Sequence, residues 1–213
     1  MPITSHAKQF FLSTYARRVT LGRKDFYIEW TLDHVTGKDK QGIIAFEGLD
    51  VVGGQKISFE SLQARNKDEL FTDNLEPDSE LRVRFYSVKE QSNFFKYLKT
   101  GFVAAIGVAA GTYFTVQTAG ASLAIVAAGL KEMISDLLKK EKSKDDKEVE
   151  LGYGAISGEE LSQPGLHVIK IIAHEKIFIK QTQEYDPVSN KMKITNHYLK
   201  GGMPMAALQI ETQ

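Results

Sequence analysis

Apolar and polar residues alternate through most of this chain, and the alternation breaks down once. In Asp25–Asp33 the residues Phe26, Ile28, Trp30 and Leu32 fall on one side, and Tyr27, Glu29, Thr31 and Asp33 on the other. A period of two predicts a half-buried strand. Thr36–Gly42 supplies turn chemistry, after which Ile43, Ile44 and Phe46 begin a second strand. Gly53-Gly54 is another turn, followed by alternation at Ile57, Phe59 and Ser61. Residues 66–78 are polar, carry Pro77 and read as a loop. In Glu80–Ser87, Leu81, Val83 and Phe85 oppose Arg82, Arg84 and Tyr86, the cleanest strand pattern in the chain.

The period of two then stops. Thr100 to Leu130 is 31 consecutive residues without a charge, rich in Ala and Gly. Leu123, Val126, Leu130, Met133 and Leu137 recur at alternating spacings of 3 and 4, the seam of an amphipathic helix. The expectation is a helical hairpin over 92–140, breaking at Thr118–Ser122, where Gly120 permits a turn and Ser122 an N-cap. Gly107 and Gly111 have the spacing that lets helix backbones approach closely. Residues 141–148 form a charged loop.

After Val149 the β-pattern returns. Val149–Ile156 is a strand interrupted by Gly152 and Gly154, where another backbone or an aromatic side chain approaches closely. Pro164-Gly165 is a turn, and 167–179 holds one long strand or two short ones. Tyr185–Asn190 joins that region to Lys191–Leu199 as a hairpin, and Met205–Glu211 closes the sheet. The pattern predicts a single domain, 1–213: an antiparallel β-sandwich of about eight or nine strands, 8–91 and 149–213, with the Gly/Ala-rich helical hairpin inserted.

Composition narrows the chemistry. Lys plus Arg is 27 and Asp plus Glu is 27, so the formal net charge is zero, which argues against a general nucleic-acid binder. Without cysteine there is no disulfide, thiol nucleophile or zinc–thiolate site. The five histidines lack close metal-ligand spacing, and no Gly-x-Ser-x-Gly elbow or Walker loop occurs. Asp145, Asp146, Glu148 and Glu150 read as a solvated charge run rather than a cation site. Arg17, Arg18, Arg23 and Lys24, with Arg82 and Arg84, would suit anionic headgroups if the fold brought them together. No secretory signal opens the sequence, so a cytoplasmic, membrane-associated protein is expected.

Fragments of the chain resemble a C2 domain, an eight-stranded sandwich that often binds phospholipid through loops at one end. Ser79–Ser87 is similar to the C2 strand before the third binding loop, and Asp145–Ile156 to the strand after it. Asp25–Trp30 resembles an early C2 strand. The resemblance implies that the apolar hairpin occupies a loop position used to touch membranes. Residues 87–92 carry none of the aspartates of C2 calcium sites, so no metal and no cofactor is implied.

The sequence therefore predicts a non-catalytic scaffold that docks on a membrane or on copies of itself through residues 101–138. The contact surface would be Phe102, Val103, Ile106, Tyr113, Phe114, Leu123, Ile125, Val126 and Leu130, with Gly107 and Gly111 allowing close approach. The alternatives are a pore-forming effector that releases the hairpin into lipid, and a structural subunit of a larger assembly.

Overall fold

The strand expected at Asp25–Asp33 is present with those bounds and lies in the middle of the molecule's main sheet. The computed structural model describes residues 1–20, 23–59, 68–88, 116–118, 121–126, 148–187 and 190–213. Strands and helices are numbered here in chain order. The first half carries β1 (Ile3–Leu12), α1 (Ala16–Thr20), β2 (Asp25–Asp33), β3 (Lys40–Glu47), β4 (Gln55–Ser58), β5 (Glu69–Asp73) and β6 (Glu80–Val88). Then come β7 (Val116–Thr118), β8 (Ala121–Val126), β9 (Glu148–Ser157), α2 (Gly158–Leu161), β10 (Gly165–Ala173), β11 (Lys176–Asp186), β12 (Lys191–Lys200) and β13 (Pro204–Thr212).

Eleven of these strands join in one antiparallel sheet, in the order β4-β1-β13-β10-β9-β6-β2-β3-β8-β7, with β5 also pairing with β1. β11 and β12 form a separate two-stranded sheet. The main sheet curls. Phe10 of β1 packs 5.2 Å from Phe46 of β3 and 5.4 Å from Phe85 of β6, although five strands separate β1 from β3 along the sheet. Trp30 of β2 likewise meets Phe71 of β5 at 5.9 Å. The two arms thus share one core, in which the Phe26, Ile28, Trp30 and Leu32 stripe is fully buried.

β9 and β10 approach each other closely. A Cβ at Gly152 would lie 2.3 Å from the carbonyl oxygen of Ile172, and one at Gly154 would lie 2.2 Å from that of Lys170. The backbone of β10 therefore passes directly over these glycines, the close approach expected from their spacing. The bulge between Phe85/Tyr86 and Gly152/Glu150 gives β9 one extra residue at this bend.

Several sequence expectations need correction. Val116–Thr118 and Ala121–Val126 are strands, not helix: β8 pairs with β3, setting Ile43 opposite Val126 and Phe46 opposite Leu123. Ala, Val, Leu and Ile satisfy a strand as readily as a helix, and β3, apolar over Ile43–Phe46, supplies the ladder partner. The expected break at Thr118–Ser122 falls where the two strands meet, but Thr118, Ala121 and Ser122 belong to the strands, so Ser122 is no helix N-cap. The remaining parts of the expected hairpin, 92–115 and 127–140, lie outside the described residues. Glu69–Asp73, read as loop, is β5, whose Leu70 and Phe71 are buried while its backbone pairs with β1. The β-region begins at Ile3, earlier than the sequence pattern placed it. Thirteen strands are present among the described residues, more than the sequence count.

A polar clamp closes one end of the sheet. The buried ring of His34 lies between Ser79 Oγ, 3.2 Å from Nδ1, and Asp73 Oδ2, 3.2 Å from Nε2. The second contact is at ion-pair distance but off the line of a hydrogen bond. Lys40 Nζ reaches the same Asp73 oxygen at 2.8 Å. Burial alone would raise the Asp73 pKa. The Lys40 hydrogen bond, the Asn74 N–H and the charges of Lys40 and His34 outweigh it and hold the carboxyl below its ordinary value. Glu211 is lowered too, first by its hydrogen bond from Lys8. A carboxyl depressed in the fold stabilises above its unfolded pKa of about 4 and loses that contribution as pH falls further. The urea midpoint is thus expected to fall below about pH 4. Asp73→Asn should cost about 1 kcal/mol or less at neutral pH and shallow that acid limb. Urea titrations of both proteins between pH 7 and pH 3 check this.

Candidate docking surface

β11 and β12 pair as an antiparallel hairpin up to Asp186 and Lys191, with Asn190 in the left-handed region at φ 52°. Tyr185 Oη donates to Asn190 Oδ1 at 2.5 Å. The sequence placed this hairpin correctly and left open whether 167–179 was one strand or two; β10 and β11 are two. The register pairs Tyr185 with Met192 and Gln183 with Ile194. Successive side chains alternate faces, so these pairs share one face. Asp186–Lys191, Glu184–Lys193 and Thr182–Thr195 share the other. One face of the distal ribbon is apolar, and the other carries cross-strand pairs of opposite charge.

The apolar face is open to solvent. Tyr185 is 60% exposed, Met192 54% and Ile194 56%. The root, by contrast, is clamped. Gly201 N donates to Glu175 O at 2.8 Å, Gly202 N to Ala173 O at 2.9 Å and Tyr15 Oη to Lys200 O at 2.5 Å. A lone two-stranded ribbon is marginal in water, so these bonds anchor it while its distal face stays uncovered. Between Lys176 and Lys200 five lysines stand against Glu184 and Asp186 in a chain of zero net charge. The ribbon is locally basic.

Beside the ribbon root, the outer side of β6 and β9 forms an open cleft of about 540 Å³, lined by Arg82, Arg84, Glu150 and Tyr153 with Gly154 and Ala155. A hydrogen-bonded chain links two of its lining residues, Arg84 and Glu150, to Tyr86 and His174. Arg84 bonds the Tyr86 oxygen, Tyr86 Oη donates to Glu150 Oε2 at 3.1 Å, and His174 Nε2 lies 2.9 Å from Glu150 Oε1. The Tyr153 ring rests 5.7 Å from the His174 ring. Burial, with the charges of Glu29 and Glu150 nearby, pushes the Tyr86 pKa well above its ordinary value, so its proton stays available to Glu150. Its hydrogen bond to Tyr86 raises Arg84. Arg82 is held by Glu80 at 2.5 Å and Asp33 at 3.2 Å.

Arg82 and Arg84 thus stand among carboxylates that outnumber them rather than in a basic face. Arg23 bonds Ser87 and Lys24 pairs with Asp50 at 3.0 Å. Sequence reasoning set the histidines aside singly and missed the Glu150–His174 pair. The two residues are 24 apart in the chain and meet because the β9 bulge and the end of β10 coincide.

Of the expected contact residues, Leu123, Ile125 and Val126 lie in β8, opposite Phe46, Ile44 and Ile43. Phe102, Val103, Ile106, Gly107, Gly111, Tyr113, Phe114 and Leu130 lie outside the described residues, as do Asp145 and Asp146. Among the described residues no helix is long and apolar enough to cross a membrane, and no three His, Asp or Glu side chains converge as a metal site. Compared with protein-family models, with curated proteins and with solved structures, the chain matches none.

Proposed function

We propose that this chain is a non-catalytic β-scaffold that docks on an anionic lipid surface, with the β11–β12 ribbon as the docking element. The observation that carries the reading is the exposed Tyr185, Met192 and Ile194 face, on a ribbon whose other face carries Lys191 and Lys193. Apolar and aromatic side chains enter the bilayer interface, and lysines near an anionic leaflet each contribute about 1 kcal/mol. The excess of lysine on the ribbon favours that surface over a second ribbon of the same sign. A C2-like role is in keeping with this reading: the two strand fragments that resemble that family are neighbours here as β6 and β9.

Flotation of the full-length protein with vesicles tests it. Binding is expected to vesicles containing phosphatidylserine, to weaken with salt, and to be slight with phosphatidylcholine alone. Tyr185→Ser with Met192→Ser and Ile194→Ser should reduce partitioning at least about tenfold while leaving the circular dichroism unchanged, since all three side chains are exposed. Flotation of this variant equal to that of the parent overturns the ribbon's role and returns attention to residues 101–138.

A second reading, self-assembly, is supported by the position of the uncharged tract. Among the described residues its strands β7 and β8 lie at one end of the sheet path, and β7 is Val-Gln-Thr, without a charge or proline to block edge pairing. Concentration-dependent association without lipid, measured by sedimentation equilibrium, would favour it.

A further inference from the structure

We infer that the cleft on β6 and β9 binds a small zwitterion, with its ammonium group on Tyr153 and Glu150 and its anionic group on Arg84. The inference stands apart from the ribbon reading. Four carboxylates, those of Glu29, Asp33, Glu80 and Glu150, share this face with two guanidiniums. Arg82 is already matched by Glu80 and Asp33. What remains is an excess of negative charge beside the Tyr153 ring, which is 56% exposed. An aromatic face next to carboxylates recognises an ammonium ion.

Arg84 is the second anchor. It sits across the strands from Glu29 on one side and Tyr153 on the other, so an anion held by it lies next to the ring that holds the cation. Glu29 is buried, and its Oε2 has no hydrogen-bond partner. Arg84 already feels the charges of Glu29 and Glu150, which keeps a bare anion weak there and favours a ligand that brings its own cation. The small side chain of Ala155 leaves room along the wall of the cleft, whose volume of about 540 Å³ suits a small molecule.

Titration of the full-length protein, followed by NMR or calorimetry, tests this with glycine betaine, phosphocholine, choline chloride and inorganic phosphate as separate probes. The zwitterions are expected to bind at least about tenfold more tightly than choline or phosphate alone. Tyr153→Ala and Arg84→Gln should each weaken them at least about fivefold, and Tyr153→Phe should retain binding. The triple ribbon variant should bind the zwitterions as the parent does, so failure of lipid docking and failure of this site read out separately. Competition by phosphatidylcholine vesicles would identify a lipid headgroup as the source of the zwitterion, and its absence a free solute. Equal binding of all four probes, or equal binding by Tyr153→Ala and Arg84→Gln, overturns the inference.

Discussion

Gly154→Ala is expected to unfold the protein or to lower its stability by about 3 kcal/mol or more. The added methyl would sit 2.2 Å from the Lys170 carbonyl oxygen and 3.0 Å from its carbon. Most overpacked sites relax because a neighbouring side chain turns away. Here the neighbour is backbone, and it is committed: Lys170 pairs with Ala207 of β13, and Gly154 pairs with Val83 of β6. Moving either strand breaks a ladder. Gly152→Ala meets the Ile172 carbonyl at 2.3 Å and should behave alike. Gly48→Ala is a useful contrast. Its space is open, but its φ of 73° makes alanine strained there, so a loss of only about 1 kcal/mol is expected. Urea denaturation of the three variants checks the order, and a Gly154→Ala protein as stable as its parent would mean that β10 does not cross where described.

Phe10→Ala should cost about 3–5 kcal/mol. The ring is fully buried, stacks on Phe46 and meets Phe85 edge-on. Aromatic pairs of this kind add about 0.5–1.5 kcal/mol beyond the area they bury. The side chain belongs to one arm of the sheet and its partners to the other, so truncation removes contact exactly where the curl is fastened. Phe26→Ala removes a ring of the same size that stacks on Phe85 within one arm, at 5.6 Å. Loss of near-ultraviolet dichroism with retained β-signal is expected for Phe10→Ala well before it is seen for Phe26→Ala.

The strand β2 was legible in the sequence because Phe26, Ile28, Trp30 and Leu32 alternate with polar residues. The burial of Tyr27 and Glu29 on its other side was not, since tyrosine and glutamate are equally at home on a wet surface. Residues 116–118 and 121–126 were misread for a related reason. Leu123 and Val126 fit a helical spacing, and Leu123 and Ile125 fit a strand, so local pattern could not choose; the apolar strand β3 beside them did. β5 was hidden because only Leu70 and Phe71 mark it, and an edge strand needs little more. In the cleft, Gly152 and Gly154 were the legible signal. They announced a close crossing, but nothing in the sequence said that Glu150 and His174 would meet beside it. The ribbon's turn and strands were readable, and its isolation from the main sheet was not, because pairing partners are a property of the whole fold.

β1 owes its place to β13, the strand that also carries β10. Ser13 even bonds the carbonyl of Pro204, 191 residues further along the chain. During synthesis, therefore, β1 emerges long before the strand that joins it to the rest of the sheet. Until then β1, which carries the buried Phe10 and Leu12, has among the described residues only the edge strands β4 and β5 as ladder partners. Assembly dominated by such distant pairings is slow, in the range of milliseconds to seconds for small β-domains. The nascent chain is thus a natural client for chaperones, and recombinant yield should respond more to slowing translation or lowering temperature than to any change on the finished surface.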